Sequence, residues 1–302
     1  MKFKEKYGIA APAAVNWNIC SIRLLRRMFS AHWGENVKTN LHTHTVYCDG
    51  KSSPEEIILS AIEGGFDSIG FSGHGYTDFD LSYCMKDTDG YISEIKALRE
   101  KYSDKLQIYL GIEEDGFSLI ERERFDYIIG SMHYIRKDGK YYPVDSSREC
   151  MEECIAAFGG DVLKLAEAYY SSFCEYILRR KPDVIGHFDL ITKFDEIGPP
   201  YFMGNPSYTS LAVNYIKKAV EAGSLFEVNT GAISRGYRKT PYPQPELLHT
   251  LLKLDAGIVL SSDSHSADTL DFAFDETKAL LRDIGFKYTY ALYDNAFIKD
   301  YL

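Results

Sequence analysis

Residues 39–50 read Thr39-Asn40-Leu41-His42-Thr43-His44-Thr45-Val46-Tyr47-Cys48-Asp49-Gly50. Thr39 to His44 has the composition of a short extended segment, in which residues two apart project to the same face, so His42 and His44 point the same way. Ser53-Pro54-Glu55-Glu56 then supplies an N-cap, a proline at the first helical position and a capping-box glutamate, and Gly64-Gly65 stops the helix. This is one β-strand followed by one α-helix, with two imidazoles and a nearby carboxylate, Asp49, at the strand's C-terminal end.

The same unit recurs along the chain. Strand-like runs at Asp67–Ser72, Leu106–Ile112, Asp126–Ser131, Pro182–Gly186, Leu225–Asn229 and Gly257–Ser262 alternate with helical stretches near 91–102, 161–180, 207–222, 245–253 and after Ala267. Short apolar strands separated by helices are parallel strands covered on both faces. Seven of them over residues 38–302, with no linker and no GxGxxG or Walker motif, favour a closed (β/α) barrel over an open doubly wound sheet. Residues 1–37 read as an N-terminal extension, with Ile22, Leu24, Leu25, Met28 and Phe29 interleaved with Arg23, Arg26 and Arg27 as in a basic amphipathic helix. That helix is expected to pack on the barrel, to serve a surface or partner contact, or to be poorly ordered.

The ends of the strands carry the chemistry. Strand one ends in His42 and His44, strand two runs into His74, strand three into Glu113, strand four into His133, strand five into His187, and strand seven into Asp263-Ser264-His265. In a parallel barrel these ends share one rim, where such folds build active sites. Of the 8 histidines, only His32 and His249 fall outside the set. Nine convergent nitrogen and oxygen donors, Asp49 included, point to more than one divalent ion.

Leu41-His42-Thr43-His44-Thr45 with Asp49-Gly50, Gly73-His74-Gly75, Gly111-Ile112-Glu113, Gly130-Ser131-Met132-His133-Tyr134, Ile185-Gly186-His187-Phe188-Asp189 and Ser262-Asp263-Ser264-His265 together resemble the polymerase and histidinol phosphatase (PHP) superfamily. They are most similar to its monofunctional histidinol-phosphate phosphatases. The resemblance spans roughly residues 39 to 290. It implies a distorted (β/α)7, TIM-like barrel and three divalent ions, zinc, manganese or iron: one held by His42, His44, Glu113 and Asp263, a second by Glu113, His133 and His187, and a third by Asp49, His74 and His265. A His replaces the equivalent of Asp49 in some branches, which makes that ligand the least secure. A hydroxide bridging the first two ions, held by Glu113 and the neighbouring ligands, would be the nucleophile. The implied activity is hydrolysis of L-histidinol phosphate to L-histidinol and phosphate in histidine biosynthesis.

Charge bears on the same question. Three divalent ions bring +6 against −3 from Asp49, Glu113 and Asp263, which favours a phosphate dianion at the rim. Lys193, Arg235 and Arg238 lie on neighbouring predicted loops and could each hold a phosphate oxygen, or be solvated loop cations. Asp189 reads equally as a support for the ligands or as a rim group for a substrate amine. Tyr134, with Tyr169 and Tyr170, could contact an imidazole or a metal-bound oxygen, and Cys48 could be a soft ligand or an oxidation target. With 34 Lys+Arg against 44 Asp+Glu, a net charge of −10 argues against nucleic acid as a partner. The partner is expected to be a small phosphomonoester. The rival readings are a PHP enzyme acting on nucleotides or nucleic-acid ends, and a non-catalytic metal-stabilised module. The 6 cysteines form no CxxC pair, as expected of a reducing, cytoplasmic setting. No run approaches a membrane span, and the weakly apolar, proline-interrupted stretch at 8–15 is not expected to act as a cleaved signal.

Overall fold

Strand and helix alternate along the described chain. The computed structural model describes residues 37–302, and the amphipathic helix expected around residues 22–29 lies outside the described residues. β1 (Thr39–Asn40) is followed by α1 (Pro54–Glu63), β2 (Ser68–Phe71), α2 (Thr88–Lys101), β3 (Gln107–Asp115) and β4 (Tyr127–Ser131). A hairpin, β5 (Tyr134–Lys137) and β6 (Lys140–Pro143), precedes α3 (Arg148–Ala157) and α4 (Val162–Arg180). The chain continues through β7 (Val184–Ile185), α5 (Pro206–Ala219), β8 (Leu225–Asn229), the single turn α6 (Gly231–Ser234), α7 (Pro245–Lys253), β9 (Ile258–Ser261), α8 (Phe274–Ile284), β10 (Tyr288–Tyr293) and β11 (Ala296–Tyr301).

The main sheet has nine strands in the order β1-β2-β3-β4-β7-β8-β9-β10-β11. β1, β2, β3, β4, β7, β8 and β9 run parallel in chain order, the seven strands expected from sequence. Beyond β9 and β1 the sheet closes on itself: Thr43 bridges Ser264 in parallel, His44 N donates to Ser264 O at 2.8 Å, and Ser264 N donates to His42 O at 3.1 Å. At the opposite end the hairpin of β10 and β11 intervenes, with β10 parallel to β9 through Tyr290 and Val259. The result is a (β/α)7 barrel distorted by a strand pair wedged in at its N-terminal end.

Local sequence accounts for the elements. In α1 the Ser53 side chain and Glu56 form the reciprocal capping box, with Pro54 leading. Asp161 caps α4 by accepting from Leu163 N and Lys164 N, and Asn205 caps α5. Inside the barrel Leu41, Tyr109, Tyr127, Ile129, Val184, Val259 and Leu292 fill the space between strands. Tyr127 fits there because Gly70 and Gly111 lack the Cβ atoms that would overlap its ring, and its hydroxyl donates to Leu41 O. Two larger clusters, one including Phe66, Phe71, Ile95 and Leu110 and the other Phe173, Phe188, Phe226 and Leu251, pack the helices onto the sheet. Each such fully buried side chain contributes about 1.5–3 kcal/mol.

Candidate metal centre

Every strand-end residue named from sequence reaches one rim. Glu113 lies within β3, and the His74 segment bridges it in parallel. His133 follows β4 by two residues, as His187 follows β7 and Asp263 follows β9. His42, His44, Glu113, His187 and Asp263 are buried, as are His74 and His133.

Glu113 is the centre of this arrangement. Its Oε1 lies 2.9 Å from His187 Nε2 and 3.5 Å from His133 Nε2. Its Oε2 lies 3.3 Å from His42 Nε2, 3.5 Å from His44 Nε2 and 2.9 Å from His74 Nδ1. Asp263 Oδ1 approaches the same two imidazoles, at 3.0 Å from His44 Nε2 and 3.6 Å from His42 Nε2. A further group surrounds Asp49, whose Oδ2 is 3.3 Å from His265 Nε2 and 3.7 Å from His74 Nε2, while its Oδ1 is 3.5 Å from His44 Nδ1. Within each of four overlapping groups, His42/His44/Asp263, His42/Glu113/His187, His74/Glu113/His133 and His44/Asp49/His74/His265, the donor atoms lie within 4.8 Å of one another.

This donor set fits divalent cations. His42 Nε2, His44 Nε2 and Glu113 Oε2 are buried and make no hydrogen bond, although burying a polar atom without a partner costs about 1–3 kcal/mol. Three such atoms facing one another are explained by a cation that all of them ligate. The proton balance agrees. Burial disfavours the His42 and His74 imidazoliums, but Glu227 and Glu113 at the first and Glu113 and Asp49 at the second outweigh it and hold both pKa values well above the ordinary range. Burial likewise opposes charge on His133, and Glu113 and Asp115 reverse the effect. His44 goes the other way, to about 3, through burial and the neighbouring His265 and His74. Burial pushes the carboxyls of Glu113 and Asp263 up, yet the imidazoles around the first, and Arg235 and His42 beside the second, hold both well below the usual range. Asp49 is lowered in the same way by His74 and His265. The carboxylates demand positive charge, and protons and divalent ions compete to supply it.

The supporting residues escape sequence reading. Glu227 lies on β8 beneath His42, with Oε1 2.5 Å from His42 Nδ1. Asp115 Oδ2 accepts from His133 N at 2.7 Å and faces His133 Nδ1 at 3.2 Å. The Asp263 carbonyl, on a residue at φ +48°, faces His265 Nδ1 at 3.0 Å. Oxygens placed on Nδ1 leave Nε2 free to ligate, the usual arrangement around metal-binding histidines. An acidic residue inside the apolar run Leu225-Phe226-Glu227-Val228 was the available signal for Glu227.

The loop cations differ from one another. Arg235 is at the centre: Nη2 donates to Asp263 Oδ2 and Nη1 to Asp263 O, both at 2.9 Å, and Nη1 lies 3.1 Å from His265 Nδ1. Lys193 is no solvated cation, since Nζ donates to Asp145 O at 2.7 Å and faces Asp145 Oδ2 at 3.3 Å. Arg238 is buried as well, donating to Thr192 Oγ1 at 2.8 Å, with Asp189 at 3.7 Å and Glu196 at 3.5 Å. Its guanidinium lies 4.4 Å from the ring of Tyr242, which neighbours His187. Asp189 is buried there too and accepts from Gln244 N at 3.0 Å. Tyr134 donates to Asp80 and stands in an aromatic wall with Phe79, Tyr83 and Tyr141, in which Tyr83 lies edge-on to His74. Tyr169 and Tyr170 are instead in the helix–sheet core, with Tyr170 Oη 2.7 Å from Tyr208 Oη. Cys48 Sγ lies 3.5 Å from His44 Nδ1, and burial pushes its thiol pKa up. His249 is exposed on α7. Among the described residues no helix is long and apolar enough to cross a membrane.

Several known proteins resemble this chain. The chain is 30% identical over 269 residues to a Schizosaccharomyces pombe protein named "Probable histidinol-phosphatase", covering 81% of this chain and 86% of that one. It is 28% identical to the histidinol-phosphatase of Bacillus subtilis, covering 79% and 97% respectively. The crystal structure of Lactococcus lactis histidinol phosphate phosphatase, complexed with zinc, L-histidinol and phosphate, has the same fold at a TM-score of 0.61 and 19% identity, covering 87% of this chain and 99% of that one. The PHP domain matches residues 40–231, from the end of β1, two residues before His42, to the turn after β8, and the chain therefore belongs to the PHP family.

Proposed function

We propose that the protein is a metal-dependent phosphomonoesterase that hydrolyses L-histidinol phosphate to L-histidinol and phosphate, a step of histidine biosynthesis. The observation that carries the chemistry is Glu113, buried, with its two oxygens turned to different sets of imidazole nitrogens. The histidinol-phosphatase relatives, matched over about four-fifths of the chain, support the substrate.

In this reading His42, His44, Asp263 and Glu113 Oε2 hold one divalent ion, Glu113 Oε1, His133 and His187 a second, and Asp49, His74 and His265 a third. Zinc, manganese and iron all suit these donors. When bound, such ions acidify a coordinated water toward neutrality and neutralise charge on phosphoryl oxygens. The remaining work falls to the chain. Glu113 sets the spacing between the first two groups, and Glu227, Asp115 and the Asp263 carbonyl orient imidazoles toward them. Arg235, partly exposed beside Asp263 and His265, has N–H groups left over for a phosphate oxygen. Lys193 offers a second cation once a phosphate competes with Asp145. The wall of Phe79, Tyr83, Tyr134 and Tyr141 presents ring faces and edges suited to a flat heterocycle next to the phosphate. The acidic balance of the chain favours a small-molecule substrate over nucleic acid.

The test is phosphate release from L-histidinol phosphate, compared with sugar phosphates, nucleotides and a short oligonucleotide, using metal-free and metal-reconstituted protein. Metal-dependent preference for histidinol phosphate is expected. Preference for a diester or a nucleotide would overturn the substrate, and no hydrolysis by fully loaded protein would overturn the activity.

A further inference from the structure

Glu227 is a buried carboxylate with four hydrogen-bonding partners. It is 1% exposed, and both of its oxygens are used. Oε1 lies 2.5 Å from His42 Nδ1 and accepts from Ser261 Oγ at 2.5 Å. Oε2 accepts from the backbone N of His187 at 2.8 Å and from Asn229 Nδ2 at 3.0 Å. One side chain on β8 therefore ties together the ends of β1, β7 and β9. Two of its four partners, His42 through its ring and His187 through its main chain, belong to residues that the proposed function assigns to different ions.

We infer that Glu227 is a positioning residue that fixes His42 in the tautomer able to ligate a metal ion, and through the same carboxylate sets the place of His187. A carboxylate can only accept, so the neutral His42 ring keeps its proton on Nδ1 and leaves the Nε2 lone pair facing Glu113 Oε2 and Asp263 Oδ1. The inference rests on the metal reading above.

Replacing Glu227 by glutamine separates this role from packing, because the shape is kept and the hydrogen-bond polarity is not. The Oε2 position faces two donors, the His187 N–H and the Asn229 amide, so the glutamine oxygen must sit there. Its NH2 then occupies the Oε1 position, where Ser261 can rotate to accept. His42 Nδ1 must also accept, which moves the ring proton to Nε2. The imidazole stays in place with the wrong nitrogen protonated.

The experiment titrates metal-free wild-type and Glu227→Gln protein with Zn²⁺ against a chromophoric chelator, and reads imidazole tautomers by two-bond ¹H–¹⁵N correlation. In the variant, one ion per chain is expected to bind about 10- to 100-fold more weakly, with cooperative unfolding of the metal-free protein retained and His42 protonated at Nε2. Zn²⁺ binding equal to wild type in number and affinity would overturn the inference alone. A wild-type protein that takes up no divalent ion would overturn the metal reading and this inference together. Zinc-loaded wild-type protein decides the matter should the variant not fold: a proton on His42 Nδ1 supports the assignment, and an Nδ1 that is bare or metal-bound overturns it.

Discussion

Two parts of the same rim are built differently. Around Glu113, the donors His42, His44 and His187 are at most 2% exposed in their side chains, and they arise from strands or the residues immediately beyond them. Around Asp49, by contrast, the side chains of Asp49 and His265 are 32% and 22% exposed and stand on turns. The first group is fixed by Glu227 and by barrel closure. The second leans on the Asp263 carbonyl, Arg235 and Cys48. A binding site on strands holds its geometry without a ligand, whereas one on turns depends on its ligand to set it, so the inner group should bind cations tightly and the outer one should exchange them.

The strongest way to break that contrast is Glu113→Gln, which leaves the imidazoles of both inner groups without their shared carboxylate. Catalytic rate is expected to fall about 10²- to 10⁴-fold, the loss of several kcal/mol of charge stabilisation, with measured metal content reduced by more than one ion per chain. Stepwise chelation sharpens the contrast next. Dialysis against increasing chelator is expected to remove the outer ion first, and later losses should lower the melting temperature by about 5–10 °C, from about 2.7 kcal/mol of linkage at a hundredfold excess over Kd. Simultaneous loss of all metal in one step would show the two groups to be equivalent.

Acidity supplies a third comparison. In metal-free protein the raised pKa values of His42, His74 and His133 stabilise the fold below the unfolded histidine value of about 6.5, and this is lost as pH rises through the folded values. The lowered carboxyls of Glu113, Asp263 and Asp49 contribute above about pH 4 and fail on acidification, in the same direction as His44. Metal-free stability should therefore peak between about pH 5 and 6.5. Metal binding releases those imidazole protons, so melting curves with and without Zn²⁺ should diverge as pH rises from 5 to 8. Asp49→Asn tests the outer group, with an expected rate loss of about 20-fold and the inner ions retained. The smallest effect belongs to Lys193→Ala, which should raise KM about fivefold without altering metal content, since Asp145 already holds the ammonium group.

The strands and the histidines and acids gathered at their ends were legible because both signals are local: apolar runs, capping residues and the histidine or acid that follows. Pairings between distant segments were not. Asp138-Gly139 and Asp294-Asn295, with positive φ throughout, make the two tight turns of the unexpected hairpins β5–β6 and β10–β11. Both are turn signals a closer reading could have used. α3, capped by Ser147, also went unread. Lys193 and Arg238 were legible as cations but not as cations already paired, because their partners Asp145 and Thr192 lie 48 and 46 positions away. Glu227 reaches His42 across 185 positions, a distance that no motif spacing encodes.

Closure of the barrel bears on how the protein is made. Asn40 Nδ2 donates to Ser262 Oγ across 222 positions, and Asp49 and His265 meet across 216. On a ribosome His42 and His44 emerge long before Asp263 and His265, so a growing chain carries a half-site through most of its synthesis and completes it only when the last parallel strand closes onto the first. Completion of the His42/His44/Asp263 group is thereby postponed until nearly all of the chain has been read, and a product truncated before Asp263 keeps its first two histidines and Glu113 but not the second carboxylate that faces them.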